Sequence, residues 1–535
     1  MRQKLTSSAL SRVSGIGHRD NATPAKRLLS GVRLGVDAQS ATGLLRQGRR
    51  VDIAIADGVI QSITAVASRR AGDPTAAPGR LDGRDLIVFP GFVNAHVHSN
   101  EMFEQGAYDR AALEEWLVLS YPPLLGEQPS PRLDYVRTMM MAMQSLRSGV
   151  CALHDDFLNP GGDPERLAAV FQAYEDIGIR AAVACTLGDR PYLDGLPEGR
   201  TLCPPGLAAQ LDRLPIRPLK QQVRFFENEY ARVRRARDPR LSLTLGPRGP
   251  QRCTEGLMRT VGELARACNI QINMHVLESR TQWQTAQQQY AQSYVEVLER
   301  NGLLCPQLTM NHAIWLTRED IARMGASGVS TTHNPMSNFK LSSGVSPVRQ
   351  LLAAGVNVAL GSDGPATGDS SDFMQTIRFA ALIHKLEPER GLPPPSAEAV
   401  VQMASLAGAR SMGTGGSCGE LRPGAQADLT LLDANNAGLV PLNHAARQLA
   451  YSVGSDAVHT VLVAGDPVFQ AGRFTRIDEA AMAAEIREEA ERFRRTVLVA
   501  RRGAQPAMLA FIRKVVVNAQ RRAAKTGTVN RPLAG

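Results

Sequence analysis

The sequence predicts an α/β protein, a (β/α)8 barrel of TIM type carrying a small discontinuous β-sandwich built from both chain ends. Three observations lead there. From Ser145 to Pro365 short β-rich runs alternate with helical stretches, and a further run before His96 brings the strands to eight. Polar residues close five or six of those runs, on the face where parallel barrels build their sites. Short β-like runs of a different style flank the alternation on both sides.

Each element has a local reason. The first run, Asp85-Leu-Ile-Val-Phe-Pro-Gly-Phe-Val-Asn-Ala-His-Val-His98, ends in two histidines whose period-two spacing turns both imidazoles to one side of a strand. The next are Val150–His154, Arg180–Thr186, Leu241–Leu245, Gln271–His275, Leu308–His312, Gly328–His333 and Asn357–Asp363. Between them, stretches such as Leu257–Ala267 keep apolar residues on one helical face. An open doubly wound sheet is the alternative, but no Gly-rich phosphate turn follows the first strand. Residues 28–89, including Val51–Ile63 with its turn at Asp57-Gly58, and residues 411–475 read as the two parts of the sandwich around a barrel at 90–410. Residues 1–27 read as a disordered basic arm. Residues 476–535 read as a helical basic extension, packing outside the barrel or on another subunit.

Composition narrows the function classes. With 43% hydrophobic and 21% charged residues the 535-residue chain is ordinary for a soluble protein with a large core. No apolar stretch approaches the roughly 20 residues that span a bilayer. The net charge of +10 sits in the ends: ten Lys/Arg against two acids in residues 1–50, eight against none in 501–535. The body between is net negative, which argues against nucleic acid as a partner. Seven scattered cysteines without a Cys-x-x-Cys pair fit reduced thiols in the cytoplasm.

The chemistry concentrates in a few strand-end residues. Only ten histidines occur, and His96, His98, His275, His312 and His333 all fall at predicted strand ends. The candidate ligands are His96, His98, His275 and Asp363, with His312 and Glu278 close behind; three imidazoles and one carboxylate suit one divalent ion, Zn²⁺ first and Fe²⁺ second, with room left for water. A metal so held makes hydroxide available at neutral pH. Glu278, three residues after His275, is placed to shuttle protons, and Asp363, between small residues in Gly361-Ser-Asp-Gly364, to take one from water. His312 is placed to polarise a substrate group.

Pro90-Gly-Phe-Val-Asn-Ala-His-Val-His98 resembles the first-strand signature of the amidohydrolase superfamily. It is closest to the branch of cytosine, guanine and S-adenosylhomocysteine deaminases and triazine hydrolases. Similar motifs follow in order: Gly106-x-x-Asp109-x-x-x-Leu113-x-x-Trp116-Leu117, His275-x-x-Glu278, Asn311-His312 with Asp320 beyond, His333-Asn-Pro-x-Ser337-Asn338, Gly361-Ser-Asp-Gly364 and Gly419-x-Leu-x-Pro-Gly-x-x-Ala427-Asp-Leu. The resemblance runs from about Val36 to Phe474. It implies that His96, His98, His275 and Asp363 hold one metal, with Asp363 also the base. Glu278 would protonate a ring nitrogen, and His312 would orient water or substrate. Relatives with two metals bridge them through a lysine on the fourth strand, and Leu241–Arg248 has none.

The resemblance thus implies a hydrolase that deaminates an amino-substituted purine, pyrimidine, pterin or triazine, and a cytoplasmic homodimer without nucleic-acid or membrane partners is the expectation beside it. Release of chloride or an alkylamine from a triazine-like ring is the nearest alternative, and a non-catalytic scaffold a minor one. The expected substrate contacts are Glu101 and Glu104 after the His pair, Arg248 and Gln251 after the fourth strand, and His333. Glu101 and Glu104 read equally as carboxylates holding their loop. His333 reads equally as an anchor for the loop that follows it, and His154-Asp155-Asp156 as a shaper of the pocket.

Overall fold

The structure, a computed structural model, describes residues 26–66, 79–125, 129–386, 391–503 and 506–522. Most of the predicted basic arm, and residues 523–535 of the extension, lie outside these. Eight strands form one parallel sheet in sequential order: β1 (Phe92–Val97), β2 (Val150–Asp155), β3 (Arg180–Leu187), β4 (Leu241–Pro247), β5 (Ile272–Val276), β6 (Leu308–His312), β7 (Ser330–His333) and β8 (Asn357–Leu360). β2 and β3 are buried along their whole length, as strands covered on both faces must be, so their sequences run apolar without alternation.

The sheet curls until β1 meets β8, and the seam runs through the functional face. Among the described residues, Val97 and Asp363 form the one bridge there. The Asp363 N–H donates to His96 O at 3.0 Å. Side chains replace the missing ladder: Asn94 Nδ2 donates to Ser362 Oγ at 2.7 Å, and the Ser362 N–H donates to Asn94 Oδ1 at 2.9 Å.

Helices between the strands start and stop on recognisable residues. Pro131–Arg147 opens with Ser130 accepting from the Leu133 N–H and a proline in the first turn, where its missing N–H costs nothing. Thr317 and Asp320 form a capping box at the start of Arg318–Ser327, so Asp320 serves a helix end. Gly328, at φ +74°, ends that helix in the left-handed conformation.

Both chain ends contribute to a second sheet of nine strands. In spatial order it runs Arg473–Phe474, Asp466–Gln470, Val458–Val463, Leu429–Asp433, Leu86–Pro90, Arg27–Leu34, Arg50–Ala56 and Val59–Ala65, with Arg80–Asp82 beside Arg27–Leu34. It wraps back on itself: the Ile60 N–H donates to Ala425 O and the Ala427 N–H to Gly58 O, both at 2.8 Å. Leu29, Val32, Val51, Ile53, Ile60, Leu429 and Leu431 fill the enclosed space. The sheet is tied to the bottom of the barrel by a buried ion pair. Arg180, the first residue of β3, donates from Nε and Nη2 to Asp428 at 2.8 and 3.1 Å.

The C-terminal extension is helical over Glu479–Phe493 and Pro506–Arg522. Met508, Phe511, Ile512, Val515 and Val516 pack with Val118, Leu193, Leu207 and Leu211. Those partners come from the segments after β1 and β3, so the last helix sits over the loops at the rim of its own barrel.

Candidate metal centre

Four strands deliver the candidate residues to one spot. His96 lies one residue before the end of β1, with His98 just beyond the strand in an extended backbone (φ −129°, ψ 92°), so the two rings emerge on the same side. His275 lies near the end of β5, His312 closes β6, and Asp363 follows β8. His312 and Asp363 adopt positive φ (70° and 64°), as does Leu277 at 51° beside Glu278. Such backbone costs on the order of 1–3 kcal/mol per residue and survives where the surroundings impose it. Gly361 and Gly364 allow the close approach. A Cβ at Gly361 would strike Asn334 and His96, and one at Gly364 would strike the Glu101 carboxylate.

Within the cluster His98 Nε2 lies 3.3 Å from Asp363 Oδ1 and His96 Nε2 3.5 Å from it. His275 Nε2 is 3.3 Å from His98 Nε2. Zinc ligands about 2.0–2.1 Å from the ion stand roughly 3.3–3.4 Å from one another in a tetrahedron. The four residues fit a metal on that spacing, and their atoms offer no better use for themselves: both His96 nitrogens are buried without a hydrogen-bond partner. Clusters able to hold a cation, among the described residues, are His96, His98, Asp156 and His275, and His96, His312 and Asp363, sharing His96.

Neighbours fix which nitrogens face inward. His98 Nδ1 is 2.8 Å from the Asp156 carbonyl, which can only accept, so Nδ1 carries a proton and Nε2 is the nitrogen left facing the cluster. His312 Nδ1 stands 2.7 Å from Asn338 Oδ1, leaving its Nε2 3.8 Å from Asp363 Oδ2 and unpartnered. Asp363 accepts from Ser337 Oγ at 2.6 Å and from the Gly364 N–H at 2.7 Å. Burial raises the Asp363 pKa, but His312, His98 and the Ser337 bond outweigh it and hold the group below the usual carboxylate range. Burial, with the charges of Asp363 and Glu114, pushes the Glu278 carboxyl well above that range. Burial and mutual repulsion keep His96 and His275 neutral. At His98 burial is overcome by Glu101, Asp363 and Asp156, which raise it to about 9. The surroundings therefore favour positive charge at this point.

Glu278 is buried with Oε1 3.8 Å from His312 Nδ1, beside the cluster. The other expected contacts divide. Glu101 lies against Gly364 with Oε1 accepting from Tyr121 OH at 2.7 Å and Oε2 unpartnered. Arg248 is exposed at the end of β4, near Asp156, and Gln251 is buried with its Oε1 unpartnered. Glu104 is used otherwise: Oε2 accepts from Ser120 Oγ at 2.6 Å and pairs with Arg501 Nη1 at 2.9 Å, holding the C-terminal segment. His333 Nε2 faces His384 Nε2, at the end of the helix Phe373–Ile383, at 3.1 Å. His154 is held by Thr244 and Asn273, and Asp155 by the Ser99 N–H and Tyr174 OH.

Three contributors escaped the sequence reading as site residues. Ser337 and Asn338 stood inside a quoted motif but had no role, and their bonds to Asp363 and His312 depend on the turn after β7. Glu114 accepts from Ser279 Oγ at 2.5 Å, bringing a buried carboxylate beside Glu278 from the helix Leu113–Ser120. A lone acid on a short amphipathic helix carries no sequence signal for that.

The sequence model of the amidohydrolase family matches residues 87–468. A 5-methylthioadenosine/S-adenosylhomocysteine deaminase of Nitratidesulfovibrio vulgaris is 32% identical over 439 residues, covering 82% of this chain and 91% of that protein. A 5'-deoxyadenosine deaminase of Methanosarcina mazei is 29% identical over 443 residues, covering 82% and 92%. Among solved structures, an adenosine deaminase from Xanthomonas campestris with bound zinc superposes with a TM-score of 0.74 at 25% identity, over 89% of this chain and all of that one. An atrazine chlorohydrolase from Arthrobacter aurescens TC1 with zinc reaches 0.74 at 22% identity, over 86% and 99%, a likeness of fold. With its barrel, its strand-end histidines and the family match over most of its length, the chain belongs to the amidohydrolase family.

Proposed function

We propose that the protein is a zinc-dependent hydrolytic deaminase of an adenine-type ring, carried by a nucleoside or a 5'-modified nucleoside. The observation that carries the reading is the convergence of His96, His98, His275 and Asp363 at ligand spacing, with the Glu278 carboxyl, raised by burial, alongside. The named activities of the relatives favour an adenine-type ring over a triazine. A zinc ion held by His96, His98, His275 and Asp363 would supply a water that is nucleophilic at neutral pH. Asp363, kept ionised, takes a proton from that water at a carboxylate oxygen. Glu278 gives its proton to the ring nitrogen as the ring carbon becomes tetrahedral; Asp363 passes the proton it took from water to the departing ammonia, and Glu278 recovers a proton from the new hydroxyl as the carbonyl forms. His312, neutral with Nδ1 bound to Asn338, presents Nε2 to the reacting oxygen and orients it. Glu101 and Arg248 meet the substrate's polar groups, one as acceptor and one as donor.

We assign the enzyme to the cytoplasm as a homodimer. The unpaired cysteines fit a reducing compartment, and no helix among the described residues is long and apolar enough to cross a membrane. The test is release of ammonia by purified zinc-loaded protein from adenosine, 5'-deoxyadenosine, 5'-methylthioadenosine and S-adenosylhomocysteine, beside chloride or alkylamine release from triazines. Ammonia from at least one adenine nucleoside is expected. Turnover confined to triazines would replace the reading with the chlorohydrolase one.

A further inference from the structure

The second strand ends in two adjacent acids that are used differently. Asp155 accepts from the Ser99 N–H at Oδ1 (3.0 Å) and from Tyr174 OH at Oδ2 (2.7 Å), so one oxygen holds the loop after β1 and the other the helix Pro164–Ile177 after β2. Asp156 makes three connections with three of its own groups. Its N–H donates to Val97 O at 2.9 Å, continuing the β1–β2 ladder one residue past the strand. Its carbonyl accepts from His98 Nδ1 at 2.8 Å. Its carboxylate Oδ2 lies 3.3 Å from His275 Nδ1. Side chains from β1 and β5 are thus both gripped by one residue of β2.

His275 has two ring nitrogens, and they face opposite surroundings. Nε2 looks into the cluster, 3.3 Å from His98 Nε2, while Nδ1 looks at Asp156. A carboxylate behind Nδ1 favours the tautomer with the proton there and leaves the Nε2 lone pair turned to the cation. It also adds electron density to the ring and fixes its rotation. Oδ2 stands on the far side of the imidazole from Nε2, so Asp156 acts on the cation through His275.

We propose that Asp156 is a positioning residue of the metal centre, which sets the tautomer and orientation of His275 with its carboxylate and those of His98 with its carbonyl. This rests on the reading that His98 and His275 hold a metal. It assigns to the second strand a function the ligand motifs do not contain.

Zinc affinity, measured by chelator competition on purified wild type, Asp156→Asn and Asp156→Ala, tests it. Loss of a partner behind a ligating histidine weakens metal binding by roughly 10–100-fold. Asp156→Ala should show that loss, and Asp156→Asn, whose amide oxygen still accepts from Nδ1, a smaller one. Turnover by both variants should return to within a few-fold of wild type at saturating zinc, which damage to the fold would not allow. Should the alanine protein fail to fold, the isosteric asparagine carries the test. Wild-type zinc affinity in Asp156→Asn and in any folded Asp156→Ala would overturn the assignment, as would full affinity with turnover that zinc does not restore. A wild type that binds no stoichiometric zinc would instead remove the metal reading itself.

Discussion

Asp428 at the bottom of the barrel and Asp363 at the top are both buried carboxylates at strand ends, and their surroundings differ in kind. Asp428 receives two hydrogen bonds from Arg180 and one from the Ala464 N–H at 2.7 Å, and Cys418 Sγ lies at 3.5 Å. Its charge is answered within the protein. Asp363 receives one hydroxyl and one N–H and then faces imidazoles at 3.3–3.8 Å, among them nitrogens of His96 and His312 with no partner. Buried polar groups left unmatched cost free energy, so they persist where an external ion or substrate completes them. The bottom of the barrel is built for stability and the top for a guest.

The largest expected effect breaks the top alone. His98→Ala should lose zinc and lower kcat/KM by about 10³-fold or more, with thermal unfolding of the zinc-free protein nearly unchanged. Glu278→Gln should keep zinc while kcat falls about 10²–10⁴-fold. Equal zinc loss in the two variants, by elemental analysis, would erase the distinction between ligand and proton carrier.

The converse change is Asp428→Ala. Leaving Arg180 buried without its partner should cost about 3–5 kcal/mol of unfolding free energy, while the folded fraction keeps a wild-type KM. Denaturant unfolding and active-site titration read the two effects separately. A large rise in KM would mean that the two ends are coupled.

An acid titration sharpens the contrast for the neutral histidines between and beside these poles. Burial lowers His154 from 6.5 to about 4, and burial with Arg349 lowers His384 likewise. Unfolded, each binds a proton near pH 6.5; folded, only near 4. Their contribution is therefore complete above pH 6.5 and is lost as the pH falls toward 4, on the order of 3 kcal/mol for each residue. Denaturant unfolding of zinc-free protein at pH 7, 5.5 and 4.5 should follow that slope, and His154→Gln should flatten it. A variant as acid-sensitive as wild type would remove His154 from the account.

The smallest effect is expected where charge is exposed. Arg513 pairs with Glu115 at 2.9 Å between the last helix and the helix Leu113–Ser120, with the arginine largely in solvent. Arg513→Glu should change stability by no more than about 1 kcal/mol. A larger loss in denaturant unfolding would mean that the rim depends on this pair as the bottom depends on Arg180.

The strands were legible because parallel strands buried on both faces leave uninterrupted apolar runs. Leu308–His312 matches its expected bounds, and β8 ends at Leu360, three residues before the expected Asp363. The ligand spacing was legible because period two governs a strand even one residue past its end, as at His98. What escaped depends on contacts far apart in sequence. Glu104 looked free after the His pair, yet it meets Arg501, 397 positions on. The apolar face of Pro506–Arg522 signals a helix but carries no address for the rim segments it covers.

Leu86–Pro90 and Leu429–Asp433 are neighbours in the nine-stranded sheet, yet the whole barrel separates them along the chain. At roughly 5–20 residues per second, a ribosome takes tens of seconds to travel from one to the other. Throughout that interval the early strands, from Arg27 onward, present an unpaired edge. Nascent chains stalled inside the barrel-coding region should therefore be the form most dependent on chaperones, and premature termination before the final strands should yield aggregate rather than a smaller soluble protein.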